Sequence, residues 1–492
     1  MKTKIILFFV WVWIVSNLFY QEYWGLNALI VTITSIAIVG TIMPKNLKSS
    51  KWWLVSVCWL ISALAIFNNG TIVPGLLYFV SFLFFFAVSN RTQLSLFTGG
   101  LQSLVSWSTG FYFSFNRLFG SMNNLGDHKA KKTIANIIIT LSSLIIIIIF
   151  LKLYQAADPT FYEWTKFLNL KWISWGFIFF YLFMLVFLYG FFFYRQEEGI
   201  NQLEDDRVND VPLTYTDRVQ RFLGQKTEFK AGIVLLIILN LFLLLYNIID
   251  IRYVLFVMDS GARGTTDSIM VHDGVNSLIG SIVLVILLIS FFFRGGLNFI
   301  DNKALKALAL FWLIQNISMV ATTSVKSFEY ISHYGLTYKR IGVLIYLTLA
   351  LIGIAFTLYK LTKNKSFWFL ARSTSVAFLF VGTVLVTVNW NRAIAWHNLN
   401  FITAAEIDFR YLVELGPDTY PYILEYNAEE GIEDKSIIYD LSREVPRVIE
   451  LIELRKSEHS WRSMVWSDEV LLRDLGKHKF TYYAPIAERW DD

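Results

Sequence analysis

The chain has 492 residues, of which 55% are hydrophobic and 16% are charged, with a formal net charge of +5. Because an average soluble protein carries roughly 25% charged residues, this composition points away from an ordinary soluble domain and toward a polytopic membrane protein. The single cysteine, Cys58, excludes an intrachain disulfide framework, an iron–sulfur cluster and a multi-cysteine zinc site.

A transmembrane helix needs about 20 predominantly apolar residues to cross roughly 30 Å of hydrocarbon. Eleven segments fit this description, although the first and third are short. They are residues 5–20, 24–43, 52–67, 72–90, 134–151, 172–194, 231–249, 277–293, 305–325, 341–359 and 367–388. An α-helix satisfies its own backbone hydrogen bonds in lipid, so we predict an all-α fold. It consists of a transmembrane helix bundle over 1–388 and a small soluble helical domain over 389–492.

The first segment follows Lys2 and Lys4, which is also typical of a secretory signal. No small-residue cleavage pattern comes after it, so we expect an uncleaved first span.

Residues 92–116 carry no charge but contain several glycines and serines, so they either span the membrane or lie at its surface. Lysine and arginine concentrate in short cytoplasmic loops, which lets the loop charges decide between the two arrangements. If the segment does not span and the N-terminus is cytoplasmic, the inner loops hold 22 basic residues and the outer loops hold eight. If the segment spans, the inner loops hold 14 basic residues and the outer loops hold 16. We therefore predict that 92–132 is an interfacial or re-entrant segment on the cytoplasmic side.

Residues 195–230 mix acidic and basic side chains, which is typical of a solvated, mostly disordered cytoplasmic loop. A docking strip for a cytoplasmic partner is the alternative interpretation.

The formal charge divides unevenly between the two predicted domains. Residues 1–388 hold 31 basic and 18 acidic residues, whereas residues 389–492 hold 12 basic and 20 acidic, a net charge of −8. With eleven spans and a cytoplasmic N-terminus, this acidic tail lies outside the cytoplasm. It contains no basic patch, so nucleic acid is not predicted as a partner.

Local signals in the tail predict short helices. Asp408 is expected to cap a helix that ends at Gly416, Pro446 to occupy the first turn of another, and a last helix to cover 467–475.

Signatures of known chemistry are missing from the sequence. No phosphate loop, dinucleotide fingerprint, nucleophile elbow or HExxH motif occurs, and no two histidines have the spacing of a helical zinc pair. No cofactor, metal site or catalytic residue is therefore predicted. Uncharged polar residues do occur within spans, and we expect them chiefly to form hydrogen bonds between helices. They are Asn240, Gln315, Asn316, Ser318, Thr322 and Thr323.

Charged and polar residues gather at the predicted outer ends of several spans, where they could line an outer-face pocket. The candidate residues are Asp158, Asp250, Arg252, His272, Asp273, Tyr334 and Arg340. Gly335 is expected to adopt a conformation that a residue with a Cβ would resist.

A guanidinium at a helix end needs an anionic partner, so we predict that Arg340 pairs with Asp158 or Asp250. The alternative is an arginine that anchors its helix at the membrane interface. Lys326 and Glu329 are spaced to pair along one helix.

Several segments near this rim resemble a bacterial family of polytopic membrane proteins, the domain of unknown function 4173, which is related to domain 4153. The likeness covers about 130–475, and its most specific part is the Tyr-Gly-Leu-Thr element at 334–337 followed by Arg340. The resembling segments are 156–161, 271–276, 293–299, 330–340, 389–400 and 407–412. The resemblance implies an integral membrane protein without an assigned activity, so it identifies no catalytic residue.

The leading hypothesis is a non-enzymatic bacterial inner-membrane protein. It senses or binds an extracytoplasmic partner, such as a protein or glycan, through its tail and its outer-face pocket, or serves as a scaffold. One alternative is a transporter or flippase for a lipidic or uncharged solute. Another is a membrane enzyme acting on a lipid-linked substrate, with Asp158, His272 or His333 as base.

Overall fold

A computed structural model describes seven long continuous ranges of the chain, residues 209–210 and scattered positions within 143–155 and 280–293. The continuous ranges are residues 2–70, 72–124, 157–165, 174–194, 198–206, 224–256 and 303–477. Throughout these residues the regular elements are helices, which confirms the all-α fold class.

The membrane part contains twelve α-helices within the described ranges, numbered here in chain order. They are α1 (Lys2–Phe19), α2 (Leu26–Ile42), α3 (Ser50–Asn69), α4 (Ile72–Asn90), α5 (Leu96–Asn124), α6 (Pro159–Thr165), α7 (Trp175–Phe192), α8 (Glu198–Asp206), α9 (Gln225–Phe256), α10 (Lys303–Tyr334), α11 (Tyr338–Thr362) and α12 (Phe367–Val386). Six of them, α3, α4 and α9–α12, are long and apolar enough to cross a membrane, and α1, α2 and α7 are shorter apolar helices. These nine coincide with nine predicted spans; the other two, 134–151 and 277–293, lie mostly outside the described residues.

Helix α5 covers most of the uncharged 92–116 segment and runs without interruption for 29 residues. It packs along α4 and α7, where small residues allow close approach. A Cβ on Gly110 would lie 2.9 Å from the Cα of Gly190, and Ser106 Oγ donates to the Gly190 carbonyl over 2.7 Å. Because α5 does not turn back between residues 96 and 124, a re-entrant hairpin there is excluded, and an interfacial placement stays a prediction.

The first of two hydrophobic clusters in the membrane part lies among α1–α5, α7 and α12 and is rich in aromatic rings. Trp11 stacks on Phe192 and contacts Phe86, both with ring centroids 5.6 Å apart. Its indole nitrogen donates to Ser35 Oγ over 2.8 Å. Buried aromatic pairs contribute about 0.5–1.5 kcal/mol each beyond their area, so these rings fix how the helices of the first cluster pack.

The second cluster lies among α9, α10, α11 and residues 286–293, and α12 contacts both clusters. Helices α9 and α10 are parallel, because Asn240 bonds to Leu308 while Asp250, farther along α9, bonds to Lys326. The predicted span 277–293 lies between them in the sequence and stays a prediction.

The two ends of the bundle can be followed from contacts between helices. Lys4 lies beside Asn90 and Phe192, so α1 begins where α4 and α7 finish; this is called the N-terminal end. At the opposite end Tyr20 bonds to Ser174 over 2.8 Å. Residues 90 and 174 therefore lie at opposite ends of the bundle.

The tail, residues 389–477 of which are described, packs at the end opposite the N-terminal end, called the tail end. Its α-helices are α13 (Trp390–Phe401), α14 (Phe409–Glu414), α15 (Tyr420–Glu429), α16 (Lys435–Glu458) and α17 (Trp466–Leu475). They surround a third hydrophobic cluster, to which Ile341 of α11 also belongs. The predicted cap of α14 is confirmed, since Asp408 Oδ1 accepts the Tyr411 amide over 2.9 Å.

The prediction for Pro446 is wrong, because this proline lies inside α16 rather than in a first turn. An internal proline costs a helix about 3 kcal/mol or more. Five apolar residues at helical spacing bury one face of α16 on both sides of the proline and offset that cost. They are Ile437, Leu441, Val445, Val448 and Ile452.

The predicted disordered loop 195–230 is partly ordered, since α8 lies within it and α9 begins at Gln225. Glu204 of α8 is buried against the N-terminal end and accepts hydrogen bonds from the hydroxyls of Ser95 and Thr98. Arg372 of α12 pairs with Glu204 at 2.9 Å. The loop prediction is therefore wrong for 198–206, because a carboxylate with three donors is more stable docked than solvated.

Candidate functional site

Buried amide side chains line the interface between α9 and α10. Asn240 and Asn247 are seven residues apart on α9, so both face the same neighbour. Asn240 Nδ2 donates to the Leu308 carbonyl over 3.1 Å, and Gln315 Nε2 donates to Asn240 Oδ1 over 2.7 Å. Asn247 Nδ2 donates to the Gln315 carbonyl over 3.1 Å. The expectation that mid-span amides form interhelical hydrogen bonds is confirmed for Asn240 and Gln315.

Asp250 ends this row of polar side chains toward the tail end, where it pairs with Lys326 of α10. The Asp250 side chain is 7% exposed and the Lys326 side chain 24%, and Lys326 Nζ also lies 5.0 Å from the centre of the Tyr253 ring. The predicted Lys326–Glu329 pair is therefore wrong; Glu329 contacts His333 at 2.9 Å instead. Asp250 on the neighbouring helix is more deeply buried than Glu329 and pairs with Lys326 in its place.

Four acceptor oxygens in this region are buried and have no hydrogen-bond partner in the described part of the chain. They are Asn247 Oδ1, Asp250 Oδ2, Gln315 Oε1 and Asn316 Oδ1. An unpartnered buried polar group costs about 1–3 kcal/mol, so this concentration at one interface distinguishes it from the rest of the bundle. Amide and carboxylate oxygens of this kind can accept from water or coordinate a hard cation.

The predicted rim residues do not come together as one pocket among the described positions. Asp158 is exposed and accepts the Thr160 amide over 2.8 Å at the start of α6, and Arg252 is exposed on α9. His272 and Asp273 lie outside the described residues.

Arg340 does not form the predicted ion pair with Asp158 or Asp250. Its Nη1 donates to the carbonyl oxygens of Tyr334 and Gly335, and its guanidinium lies 4.4 Å from the centre of the Tyr330 ring. The last carbonyls of α10 satisfy the guanidinium at the helix end, where a cation is favourable. Asp250 is already paired with Lys326, so the arginine has a structural role in the turn.

Gly335 has the left-handed conformation that its place in the turn requires, with φ of +77°. A Cβ there would lie 2.7 Å from Asn398 Oδ1, so the glycine also permits close approach of the tail. Asn398 accepts the Leu336 amide and donates to the Leu336 carbonyl over 3.0 Å. Tyr338 adds a hydrogen bond of 2.6 Å to Asn391. This α10–α11 junction attaches the tail to the second cluster.

A separate junction attaches the tail to the first cluster through Glu22, in the connection between α1 and α2. The Glu22 side chain is 4% exposed, and its carboxylate accepts hydrogen bonds from the hydroxyls of Ser460 and Ser463. Arg462 Nη2 lies 2.7 Å from Glu22 Oε1. Burial alone would raise the pKa of Glu22, but the two hydroxyls and the guanidinium outweigh it and the pKa is lowered.

The sequence contains no local signal for the Glu22 junction, because its partners are more than 430 residues away. Only the pair of hydroxyls three residues apart, Ser460 and Ser463, suggests a shared acceptor.

Comparison with known proteins gives one match. No curated protein and no solved structure is significantly similar to the chain. The match to the family starts at residue 5 and stops at residue 426, so it includes the first 130 residues and ends earlier than the resemblance seen in the sequence. The matching family is 4153, which the sequence analysis named as the relative of 4173. With residues 5–426 matched, the chain belongs to the family described as Domain of unknown function (DUF4153).

Proposed function

We propose that this integral membrane protein senses or binds an extracytoplasmic protein or glycan through its tail, without catalysing a reaction. Its place would be a bacterial inner membrane, with the N-terminus in the cytoplasm and the tail outside. The charges support this orientation. Lysines and arginine cluster at the N-terminal end, whereas the tail has a net charge of −8. The basic residues in question are Lys2, Lys4, Lys45, Lys48, Lys51 and Arg91.

One observation carries the proposal: the tail is attached to both membrane clusters by separate polar junctions. Glu22 holds it to the first cluster and the Gly335–Asn398 contact holds it to the second. If the two clusters can adopt more than one relative arrangement, a partner whose affinity for the tail depends on that arrangement will favour the one that it binds more tightly. The tail therefore couples an external binding event to the membrane helices.

The acidic tail favours a partner with a basic surface, because complementary charge speeds encounter and suppresses wrong partners. Glu450 and Glu453 are exposed on α16 and are suitable positions to test this. Changing both to lysine is expected to weaken partner binding, while the matched change of exposed Arg443 and Arg447 to glutamate is not.

The experiment uses the full chain in lipid nanodiscs and measures hydrogen exchange with and without soluble peptidoglycan fragments or the soluble envelope protein fraction. Binding is expected to change exchange at both junctions, residues 20–25 and 335–341. Binding that leaves both junctions unchanged would contradict the coupling, and failure of both fractions to bind would contradict the proposal itself.

A transporter or flippase for a lipidic or uncharged solute is the second candidate, favoured by the buried amides between α9 and α10. Flux of a fluorescent lipid in proteoliposomes tests it, with Asn240→Leu expected to reduce flux. No flux above empty liposomes would count against this candidate.

A further inference from the structure

A groove of about 390 Å³ runs along α12, between α3 on one side and α11 on the other. Leu379 of α12 is buried beneath it, whereas Phe380 is exposed at its rim. The rest of its lining is mostly apolar and includes Leu54, Cys58, Phe356, Ser373 and Ala377. Because α3 contributes to the first cluster and α11 to the second, the groove lies at the seam between the two hydrophobic clusters.

The groove lies in the half of the bundle next to the N-terminal end. Its lining begins about two helical turns from the start of α3, the end of α11 and the start of α12. These termini lie at the N-terminal end, because Lys51 of α3 donates to the Leu94 carbonyl just beyond α4, and Trp368 of α12 contacts the ring of Phe97. All three helices are long and apolar enough to cross a membrane, so in a bilayer the groove opens into the hydrocarbon of the leaflet at this end.

The dimensions of the groove decide what can occupy it. Ser373 and Phe380 are separated by a rise of about 10 Å along α12, so the volume of 390 Å³ corresponds to an average cross-section of about 40 Å². An α-helix with its side chains is about 10–12 Å across, which corresponds to about 80–110 Å². A transmembrane helix of another protein is therefore too wide for the groove, whereas the extended acyl chain of a lipid is narrow enough.

Positive charge gathers at the end of the groove that faces the membrane surface. Lys51 lies one turn before Leu54 on the same face of α3, and Arg372 of α12 directly precedes Ser373. The two cations share one anion, because Arg372 pairs with Glu204 at 2.9 Å and Lys51 is close enough to interact with the charges of both. One positive charge is therefore left in excess at this end of the groove.

Lys363 adds a further positive charge on the opposite wall. It follows the end of α11, about two turns beyond Phe356 and on the same face of the helix. Its side chain is exposed and has no carboxylate partner in the described part of the chain. Lysines at helix ends reach the lipid headgroups, and each basic residue near the surface attracts anionic lipid. The surface end of the groove is therefore complementary to a negatively charged headgroup.

We propose that the groove between α3, α11 and α12 binds an acyl chain of an anionic phospholipid, whose headgroup lies against Lys51 and Lys363. The apolar lining accepts the chain, and the excess positive charge selects the headgroup. Such a lipid contacts a helix of the first cluster and a helix of the second at the same time. Its binding is independent of what the tail binds.

The test uses the full chain in phosphatidylcholine nanodiscs that contain a trace of phosphatidylglycerol with a photoreactive diazirine in its acyl chain. After illumination, mass spectrometry locates the lipid adducts. We expect adducts on Leu54, Cys58 and Ala377 that saturate and that unlabelled phosphatidylglycerol displaces. Phosphatidylcholine with the same photoreactive chain should label these positions at least about fivefold less. Phe242, which is exposed on α9, is the internal control and should be labelled equally by both lipids and without saturation.

Variants test the chain and the headgroup separately. Ala377→Phe fills the groove and is expected to abolish the saturable adducts, whereas Gly342→Phe, at a position with open space on α11, should leave them unchanged. Lys363→Gln is expected to lower labelling by phosphatidylglycerol about fivefold and to leave labelling by phosphatidylcholine unchanged. Its matched control is Lys4→Gln, because Lys4 lies at the same end of the bundle but contacts Phe192 of α7, which does not line the groove.

Groove adducts that do not saturate, or that form equally with both lipids, would overturn the proposal and identify bulk lipid as the occupant. Absence of groove adducts together with normal labelling of Phe242 would also overturn it, as would unchanged labelling by phosphatidylglycerol in Lys363→Gln. The wild-type chain and Lys363→Gln give these readings, so the proposal stays testable even if Ala377→Phe fails to fold.

Discussion

Replacing Glu22 with glutamine is expected to release the tail from the first cluster. Glutamine keeps the size of the side chain but loses the negative charge and one of the two acceptor oxygens. Ser460 and Ser463 both donate to the carboxylate, and Arg462 pairs with it at 2.7 Å. The variant therefore leaves a hydroxyl and a guanidinium without their acceptor.

The size of the effect follows from these contacts. A hydrogen bond to a charged group contributes about 1.5–3 kcal/mol, and a partly exposed ion pair at most about 1 kcal/mol. Arg462 is 30% exposed, so its contact with Glu22 contributes an amount near that of a partly exposed ion pair. We expect Glu22→Gln to weaken docking of the tail on the first cluster by about 3 kcal/mol. This lowers the ratio of docked to undocked molecules by a factor of about 100.

Hydrogen exchange of the full chain in nanodiscs measures this ratio, because local opening sets the exchange rate of docked amides. Protection of residues 460–465 should fall about 100-fold in Glu22→Gln. Glu469→Gln is the matched control, since its pair with Lys456 is 40% exposed on both sides and should change protection less than about fivefold. If the two variants give the same protection as the wild type, the reasoning about Glu22 is refuted.

Three further predictions concern the junctions and the helix packing. Lowering the pH should undock the tail from the first cluster. The stabilisation that comes from the lowered pKa of Glu22 is complete above the ordinary carboxyl pKa of 4.5 and is lost as the pH falls through the lower pKa that Glu22 has in the folded protein. Hydrogen exchange in Glu22→Gln should not show this pH-dependent step. Gly335→Ala should lower the unfolding midpoint, because the left-handed conformation costs a residue with a Cβ about 1–2 kcal/mol and Asn398 must also move; an unchanged midpoint would contradict this. Gly190→Ala should lower the free energy of unfolding by about 1–3 kcal/mol, because the added methyl group overpacks against α5. Gly342→Ala has open space around its Cβ position and should be neutral or stabilising in the same unfolding assay.

The features that could be predicted from the sequence are those set by neighbouring residues. Apolar runs determine where helices form in lipid, and nine predicted spans coincide with observed apolar helices. Asp408 and Gly335 were predicted correctly because a helix cap and a left-handed turn are each decided within a few positions.

The contacts that define the candidate site depend on distant residues and could not be predicted. Lys326 had a suitable carboxylate three residues away, yet it pairs with one 76 residues earlier in the chain. Glu204 looked like part of a solvated loop because its hydroxyl partners lie more than 100 residues before it. Charge patterns along a helix identify local pairs, whereas burial between helices decides which pair forms.

The Glu22 junction also has a consequence for how the protein is made. Glu22 belongs to the first loop of the chain, and Ser463 is 441 residues later. At about 5–20 residues per second, the ribosome needs roughly 20–90 s to produce the partners of this carboxylate. During that time Glu22 lacks the side chains that bind it in the folded protein. A chain that stops before residue 460 cannot form the junction, so Glu22 stays without these partners in such a molecule.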